Sequence, residues 1–156
     1  MRTSKNSGEQ KSGEYPWDNI SNEYGISKRA FGKKIKFVTD SYRRKIIFRD
    51  IEHAYILSKR GFSKPAVILA GGVIEEMLRL YLVSKGVTSS RNSFAEYVKA
   101  CEKGGFLKSG IRLLSDSVRH FRNLVHLELE KSKKHTISKA TATGAVSSIF
   151  TITNDF

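Results

Sequence analysis

Residues 65–86 read PAVILAGGVIEEMLRLYLVSKG, and they include the longest apolar stretch of the chain. Their length and composition predict a buried helix with Pro65 in its first turn and with its end at Gly86. Gly71 and Gly72 each cost such a helix about 1 kcal/mol relative to alanine. We therefore predict that another helix crosses closely at these two glycines.

Two further helices are predicted on either side of this stretch. Residues 41–60 carry apolar side chains at helical spacing after an N-cap at Thr39 or Asp40. Residues 93–103 repeat the pattern over a shorter length, with Ser90 or Ser93 as the N-cap. The apolar face of this shorter helix includes Cys101, which we interpret as a small core residue rather than a nucleophile.

The last segment, 137–153, is ambiguous by composition. Its Thr, Val, Ile, Ser and Gly144 are poor helix formers, and part of the segment resembles a strand. A lone strand would have no sheet to join, so we predict a helix with Thr136 as its cap. The sequence therefore predicts an all-α fold, an up-and-down bundle of four to five helices.

The N-terminal 39 residues are set apart from the predicted bundle, which spans 40–156. Residues 1–14 are polar and lack apolar periodicity, which predicts disorder or loose attachment. The remainder of this basic segment carries aromatic and aliphatic anchors, but Gly25 and Gly32 are expected to interrupt any helix. We expect residues 1–39 to be poorly ordered or to wrap the bundle.

A basic run between residues 28 and 36 allows two interpretations. Its cations are interleaved with Phe31 and Phe37, an arrangement that would combine phosphate contact with stacking on bases. Such a run is also typical of a solvated face. The cations are Lys28, Arg29, Lys33, Lys34 and Lys36.

The composition indicates which partners the protein can bind and which kinds of site it can form. Lysine and arginine number 28 against 15 aspartate and glutamate, for a net charge of +13, which favours polyanions such as nucleic acid. The single cysteine excludes an intramolecular disulfide and argues against a cysteine-based zinc site. No signal-peptide pattern and no uninterrupted apolar span is present. We expect a cytoplasmic protein without a membrane span, a cofactor or a metal.

Residues 111–128, IRLLSDSVRHFRNLVHLE, have the period of an amphipathic helix. One arc is apolar, and the opposite side is cationic and carries a histidine. The residues of this polar side are Arg112, Ser115, Asp116, Arg119, Arg122, Asn123 and His126.

The polar side suits the cleavage of RNA. Arg119 and His126 lie two helical turns apart, about 10 Å along the axis, so both can reach one phosphodiester. Attack of a ribose 2′-OH on its own phosphate needs a base or acid that ionises near neutral pH, which histidine provides. Arginine stabilises the charge of the phosphorane-like transition state. Arg122 and Asn123 lie between Arg119 and His126 in the sequence.

Other interpretations of the polar residues stay open. The stripe is also typical of a solvated face, with Arg112 and Asp116 as an i,i+4 pair. Glu75 and Glu76 lie in an otherwise apolar helix, where an inward carboxylate needs a partner. One of them is expected to pair with Arg119 or Arg122, or both lie on the exposed edge of the helix. A sequence-specific DNA-binding protein ranks last, because no short helix-turn-helix pair stands out.

Arg119-His120 followed by His126 resembles the motif of HEPN domains, which is an arginine with a polar neighbour, then four to six residues and a histidine. The stretch from Pro65 to Glu76 is similar to the second long helix of the DUF4145-like and related HEPN groups. The resemblance covers roughly residues 40–153.

The resemblance implies a helical homodimer with a composite cleft between two motif helices. Many members are metal-independent endoribonucleases of toxin–antitoxin or defence systems, with an antitoxin or other protein partner, while others bind nucleotides, RNA or protein without catalysis. The motif carries over to Arg119, His120 and His126, and helical geometry adds the rest. The candidate site comprises catalytic Arg119, His126, Asn123 and Arg122, with substrate-binding His120, Arg112 and Ser115.

Overall fold

The computed structural model describes residues 16–108 and 137–156, and these ranges contain six α-helices and no strand. The all-α class predicted from the sequence is therefore confirmed for this part of the chain. Four of these helices lie in residues 40–156, the range of the predicted bundle of four to five helices, and two lie in the N-terminal segment. The helices are α1 (Pro16–Tyr24), α2 (Lys28–Lys34), α3 (Ser41–Lys59), α4 (Ser63–Ser84), α5 (Phe94–Lys103) and α6 (Lys139–Thr153).

Helix α4 is the centre of the described bundle, and it packs against α3, α5 and α6. It has Pro65 in its first turn, as predicted, and Gly86 follows its end with a positive φ of 68°. The predicted close crossing is not found at Gly72, which faces outward and whose added Cβ would meet no described atom within 4 Å. Gly71, by contrast, is buried.

Local hydrogen bonds set where the helices begin. The side chain of Asp40 accepts a bond of 2.8 Å from the backbone N–H of Arg43 and caps α3. Ser93 caps α5 in the same way, so one of each pair of predicted caps is confirmed. The cap of α6 is Ser138, whose hydroxyl accepts from the backbone N–H three residues later. Thr136, the predicted cap, lies outside the described residues.

The final segment is a helix despite its composition. Helix α6 buries eight side chains against the core, among them Val146, Ile149, Phe150 and Ile152. Burial of this much apolar surface outweighs the weak helix propensity of threonine, serine and β-branched residues. The predicted helix is therefore confirmed, and its physical basis is tertiary packing.

The segment from residue 16 to residue 38 forms two helices that pack into the same core. Trp17, Ile20, Phe31 and Ile35 are buried in one cluster with side chains of α3, α4 and α6. Gly25 takes a positive φ of 67° between α1 and α2, as expected of a glycine that interrupts a helix. The predicted interruption at the second glycine is wrong, because α2 runs through residue 32.

Polar contacts hold α1 onto α3. The hydroxyl of Tyr55 donates to the carboxylate of Glu23 at 2.8 Å, and Lys59 donates to its other oxygen at 2.9 Å. Burial raises the pKa of Glu23, but the hydrogen bonds from Lys59 and Tyr55 outweigh this effect and leave the pKa lowered. Residues 1–14, for which the sequence predicts disorder, lie outside the described residues.

Candidate functional site

The sequence-predicted site residues all lie between residues 109 and 136, outside the described part of the chain. Their assembly into a cleft therefore stays a prediction. The same holds for the predicted pairing of a glutamate with Arg119 or Arg122. The predicted site residues are Arg112, Ser115, Arg119, His120, Arg122, Asn123 and His126.

The described structure shows what the residues on either side of this connection contact. After α5, the backbone N–H of Lys108 donates to the carboxylate of Asp155 at 3.0 Å, just beyond the C-terminal end of α6. On return, Ile137 packs against the core and Ser138 caps the N-terminal end of α6. Because α6 has 15 residues, the two ends of this helix, which the connection joins, are roughly 22 Å apart.

One of the two glutamates of α4 has partners within the described bundle. Glu76 forms ion pairs with Arg43 of α3 at 3.3 Å and with Arg79 of its own helix at 2.8 Å. The hydrogen bond from Arg79 is the main cause of its lowered pKa. This carboxylate therefore joins α3 to α4 through its ion pair with Arg43, which is a structural role.

Glu75, the neighbouring carboxylate, lies in a different environment. Its side chain is half-buried, and burial raises its pKa, with a further contribution from the negative charge of Glu76. No described cation forms an ion pair with Glu75. The half-buried carboxylate is thus a titratable group of α4 whose charge the described residues leave unbalanced.

The basic run folds as α2 and the turn after it, and its two phenylalanines pack against the core. Phe31 is fully buried in the core. Phe37 packs edge-to-face against Tyr81, at a ring-centroid distance of 5.2 Å, and against Phe156, at 5.0 Å. Phe31 therefore cannot stack on a base, while stacking by the partly buried Phe37 stays a prediction.

Four of the five cations of this run, all except Lys34, are exposed and line an open cleft of about 720 Å³ between α2 and α3. The described residues that line the cleft are Lys28, Arg29, Gly32, Lys33, Lys36, Val38, Thr39, Arg44 and Phe48.

Arg44 is the residue of this cleft that sequence analysis missed. Its guanidinium donates to the carbonyl oxygens of Gly32 and Ile35, each at 2.8 Å, and to that of Val38 at 3.3 Å. These carbonyls lie at the C-terminal end of α2 and just beyond it, where a cation is favoured by the helix dipole. No local sequence pattern marks this role, because the acceptors belong to a different helix and its turn.

Cys101 has the environment of a core residue, as predicted. Its side chain is fully buried on α5. Burial is the main cause that raises the pKa of the thiol to about 12. A thiolate nucleophile is therefore disfavoured at this position.

We expect Cys101 to resist a disulfide-exchange reagent in the folded protein, because only an exposed thiolate reacts. Labelling at pH 8 should be at least about 100-fold slower than in concentrated guanidinium chloride. The matched control is Lys99→Cys in a Cys101→Ala background, which places a thiol on the exposed side of the same helix. Equal labelling rates for the two folded proteins would contradict the buried position.

Neither a metal cluster nor a membrane helix occurs in the part of the chain that the structure describes. No group of three or more His, Cys, Asp or Glu side chains in 16–108 and 137–156 is placed to hold a metal ion. None of the helices in these ranges combines the length and the apolar character that a membrane span requires.

Comparison of the chain with protein-family models, with curated proteins and with solved structures finds no match. The HEPN resemblance therefore rests on the residue pattern of Arg119, His120 and His126 and on the stretch from Pro65 to Glu76.

Proposed function

We propose that the chain is a HEPN-like RNA-binding protein that cleaves RNA without a metal, with Arg119 and His126 at a homodimer cleft. The observation that carries this proposal is the spacing of these two residues on one face of an amphipathic pattern. The proposal includes a cytoplasmic location and a toxin–antitoxin or defence role, in which an antitoxin or other protein partner restrains the activity.

The positions of the described helices support the proposal. The motif lies in the connection between α5 and α6, hence before the last helix of the chain. An 18-residue helix over residues 111–128 would be about 27 Å long. That length is close to the distance of roughly 22 Å that the connection has to cover along α6.

The charge of the protein supports an anionic substrate. A net charge of +13 accelerates the encounter with polyanions and favours binding to them. The cleft between α2 and α3 adds a local concentration of cations to this global excess.

In the proposed reaction, histidine transfers protons, and arginine and asparagine stabilise the negative charge. The imidazole of His126 accepts the proton of a ribose 2′-OH while the bond from the 2′-oxygen to phosphorus forms. The bond from phosphorus to the 5′-oxygen breaks, and this oxygen takes a proton from a second imidazole, which a homodimer supplies as the other copy of the same histidine. Arg119, Arg122 and Asn123 donate to the phosphate oxygens as negative charge develops. The products are a 2′,3′-cyclic phosphate and a 5′-OH.

The test is an RNA cleavage assay in EDTA with wild-type protein in excess over substrate. We expect cleavage that leaves 2′,3′-cyclic phosphate ends, and we expect a substrate with 2′-deoxyribose throughout to stay intact because it lacks the nucleophile. Intact RNA under these conditions would contradict the catalytic proposal.

A second candidate function is a noncatalytic HEPN-fold module that binds nucleotides, RNA or protein. The observation that favours it is the composition of the cleft between α2 and α3, which has cationic side chains but no described histidine, aspartate or glutamate in its lining. Such a cleft binds anions without acid–base chemistry. Salt-sensitive RNA binding without turnover would support this candidate.

A further inference from the structure

The cleft between α2 and α3 carries positive charge that its surroundings do not neutralise. Five of the residues that line it are cationic, and none of the described lining residues is acidic. Lys28 is paired with Glu52 at 3.1 Å. No carboxylate among the described residues pairs with Arg29, Lys33 or Lys36, and all three side chains are exposed. We call these three residues the rim cations.

Two of the rim cations, Arg29 and Lys33, lie on α2 and repel each other. Arg29 and Lys33 are four residues apart on α2, so their side chains extend from the same face, one turn apart. Like charges at this spacing destabilise a helix by about 0.2–0.5 kcal/mol. Helix α2 has only seven residues and carries no acidic side chain to offset this repulsion. A bound anion would relieve it.

The inner wall of the cleft is shaped and held in place. Arg44 is fixed by its three bonds to backbone carbonyls, so it adds a positive charge with little freedom to move. A Cβ on Gly32 would lie 3.1 Å from the Nη2 atom of Arg44 and 3.6 Å from the ring of Phe48. The glycine therefore lets the helix backbone approach the guanidinium closely and keeps the cleft open.

We propose that this cleft binds the phosphodiester backbone of single-stranded RNA and positions the strand, at a site distinct from Arg119 and His126. The inference rests on the proposed RNA function. Three exposed cations along this rim suit a chain of regularly spaced phosphates, and the hydroxyl of Thr39 in the same lining is a further donor. The cleft is open to solvent and most of its described lining residues are cationic, so a nucleic-acid backbone can lie across it.

The experiment measures the affinity for a fluorescent ten-nucleotide oligouridylate by anisotropy between 50 and 300 mM salt. The protein carries His126→Ala so that the RNA stays intact. The triple variant Arg29→Ala, Lys33→Ala, Lys36→Ala removes the rim cations. The control variant Arg60→Ala, Arg91→Ala, Lys103→Ala removes the same charge from exposed positions outside the cleft.

We expect the rim variant to lower the magnitude of the slope of log affinity against log salt by about 2, because each phosphate contact to a single strand contributes roughly 0.7. Its affinity at the lowest salt should fall at least about tenfold, while the control variant should change either quantity much less. In protein with an intact motif, the rim variant should raise KM and leave kcat nearly unchanged. Equal losses in the two triple variants would overturn the proposal, because they would show a general charge effect.

A separate probe distinguishes failure of the cleft from failure of the RNA function. Inorganic tripolyphosphate is titrated into isotope-labelled protein, and backbone amide shifts are followed by NMR. Shifts concentrated at residues 28–39 and absent from the rim variant support the cleft as a phosphate site even if wild-type protein neither binds nor cuts RNA. RNA binding that survives in the rim variant, without shifts at these residues, overturns the cleft and leaves the RNA function standing.

Discussion

The His126→Ala variant is expected to lose RNA cleavage by at least about 100-fold and to retain most of its affinity for RNA. The imidazole moves a proton in the transition state, whereas binding depends mainly on the cations of the protein. Single-turnover cleavage in EDTA and anisotropy with uncleavable RNA measure the two quantities separately. The proposed reaction thus predicts a change in the rate of chemistry with little change in binding.

The control for this variant is His53→Ala. His53 is exposed on α3, so its replacement removes a histidine without disturbing the core. Cleavage by this control should match the wild type. If the two histidine variants cut RNA at the same rate, His126 is not the catalytic base, and the motif interpretation fails at its central residue.

The Trp17→Ala variant is expected to lower the free energy of unfolding by about 3–5 kcal/mol. The side chain is buried, and its ring contacts Phe31 and Phe48, each at a centroid distance of 5.4 Å, and Phe150 at 6.2 Å. Its Nε1–H also donates to the carbonyl oxygen of Ile26 at 3.2 Å. Removal of the ring leaves a cavity where α1, α2, α3 and α6 meet. Denaturant unfolding followed by circular dichroism measures the loss.

Two controls separate the packing of this tryptophan from its hydrogen bond and from its helix. Trp17→Phe keeps an aromatic ring but loses the donor to Ile26, and we expect a smaller cost of about 1–2 kcal/mol. Asp18→Ala changes the next residue of α1, which is exposed, and should shift stability by only a few tenths of a kcal/mol. Unfolding of Trp17→Ala at the wild-type denaturant midpoint would show that α1 does not contribute to the core.

This prediction bears on how the N-terminal segment relates to the bundle. Sequence analysis separated residues 1–39 from 40–156 because two glycines interrupt the apolar pattern. In the structure, Trp17 and Phe31 share a cluster with Phe150, which lies more than a hundred residues later in the chain. A truncation at residue 40 would therefore expose the inner surface of α3 and α6 and should destabilise the remaining helices.

The features that the sequence predicted correctly are those with a local physical cause. Helices α3, α4 and α5 follow from apolar side chains at helical spacing. Asp40 caps α3 and Ser93 caps α5, each by accepting a bond from the backbone N–H three residues later. The burial of Cys101 follows from its position on an apolar face. The candidate motif, Arg119 with His126, is a local pattern too, and the cleavage assay tests its proposed function.

The features that sequence analysis missed depend on contacts between separate elements of the fold. Arg44 bonds to three carbonyls of another helix and its turn, and nothing in its own neighbourhood specifies that partner. Phe37 packs against Phe156 and Tyr81, which lie far from it in the chain. Periodicity and capping are properties of neighbouring residues and are visible in the chain. The surface on which a side chain finally packs depends on free energy gained across the whole fold, and only the folded structure shows it.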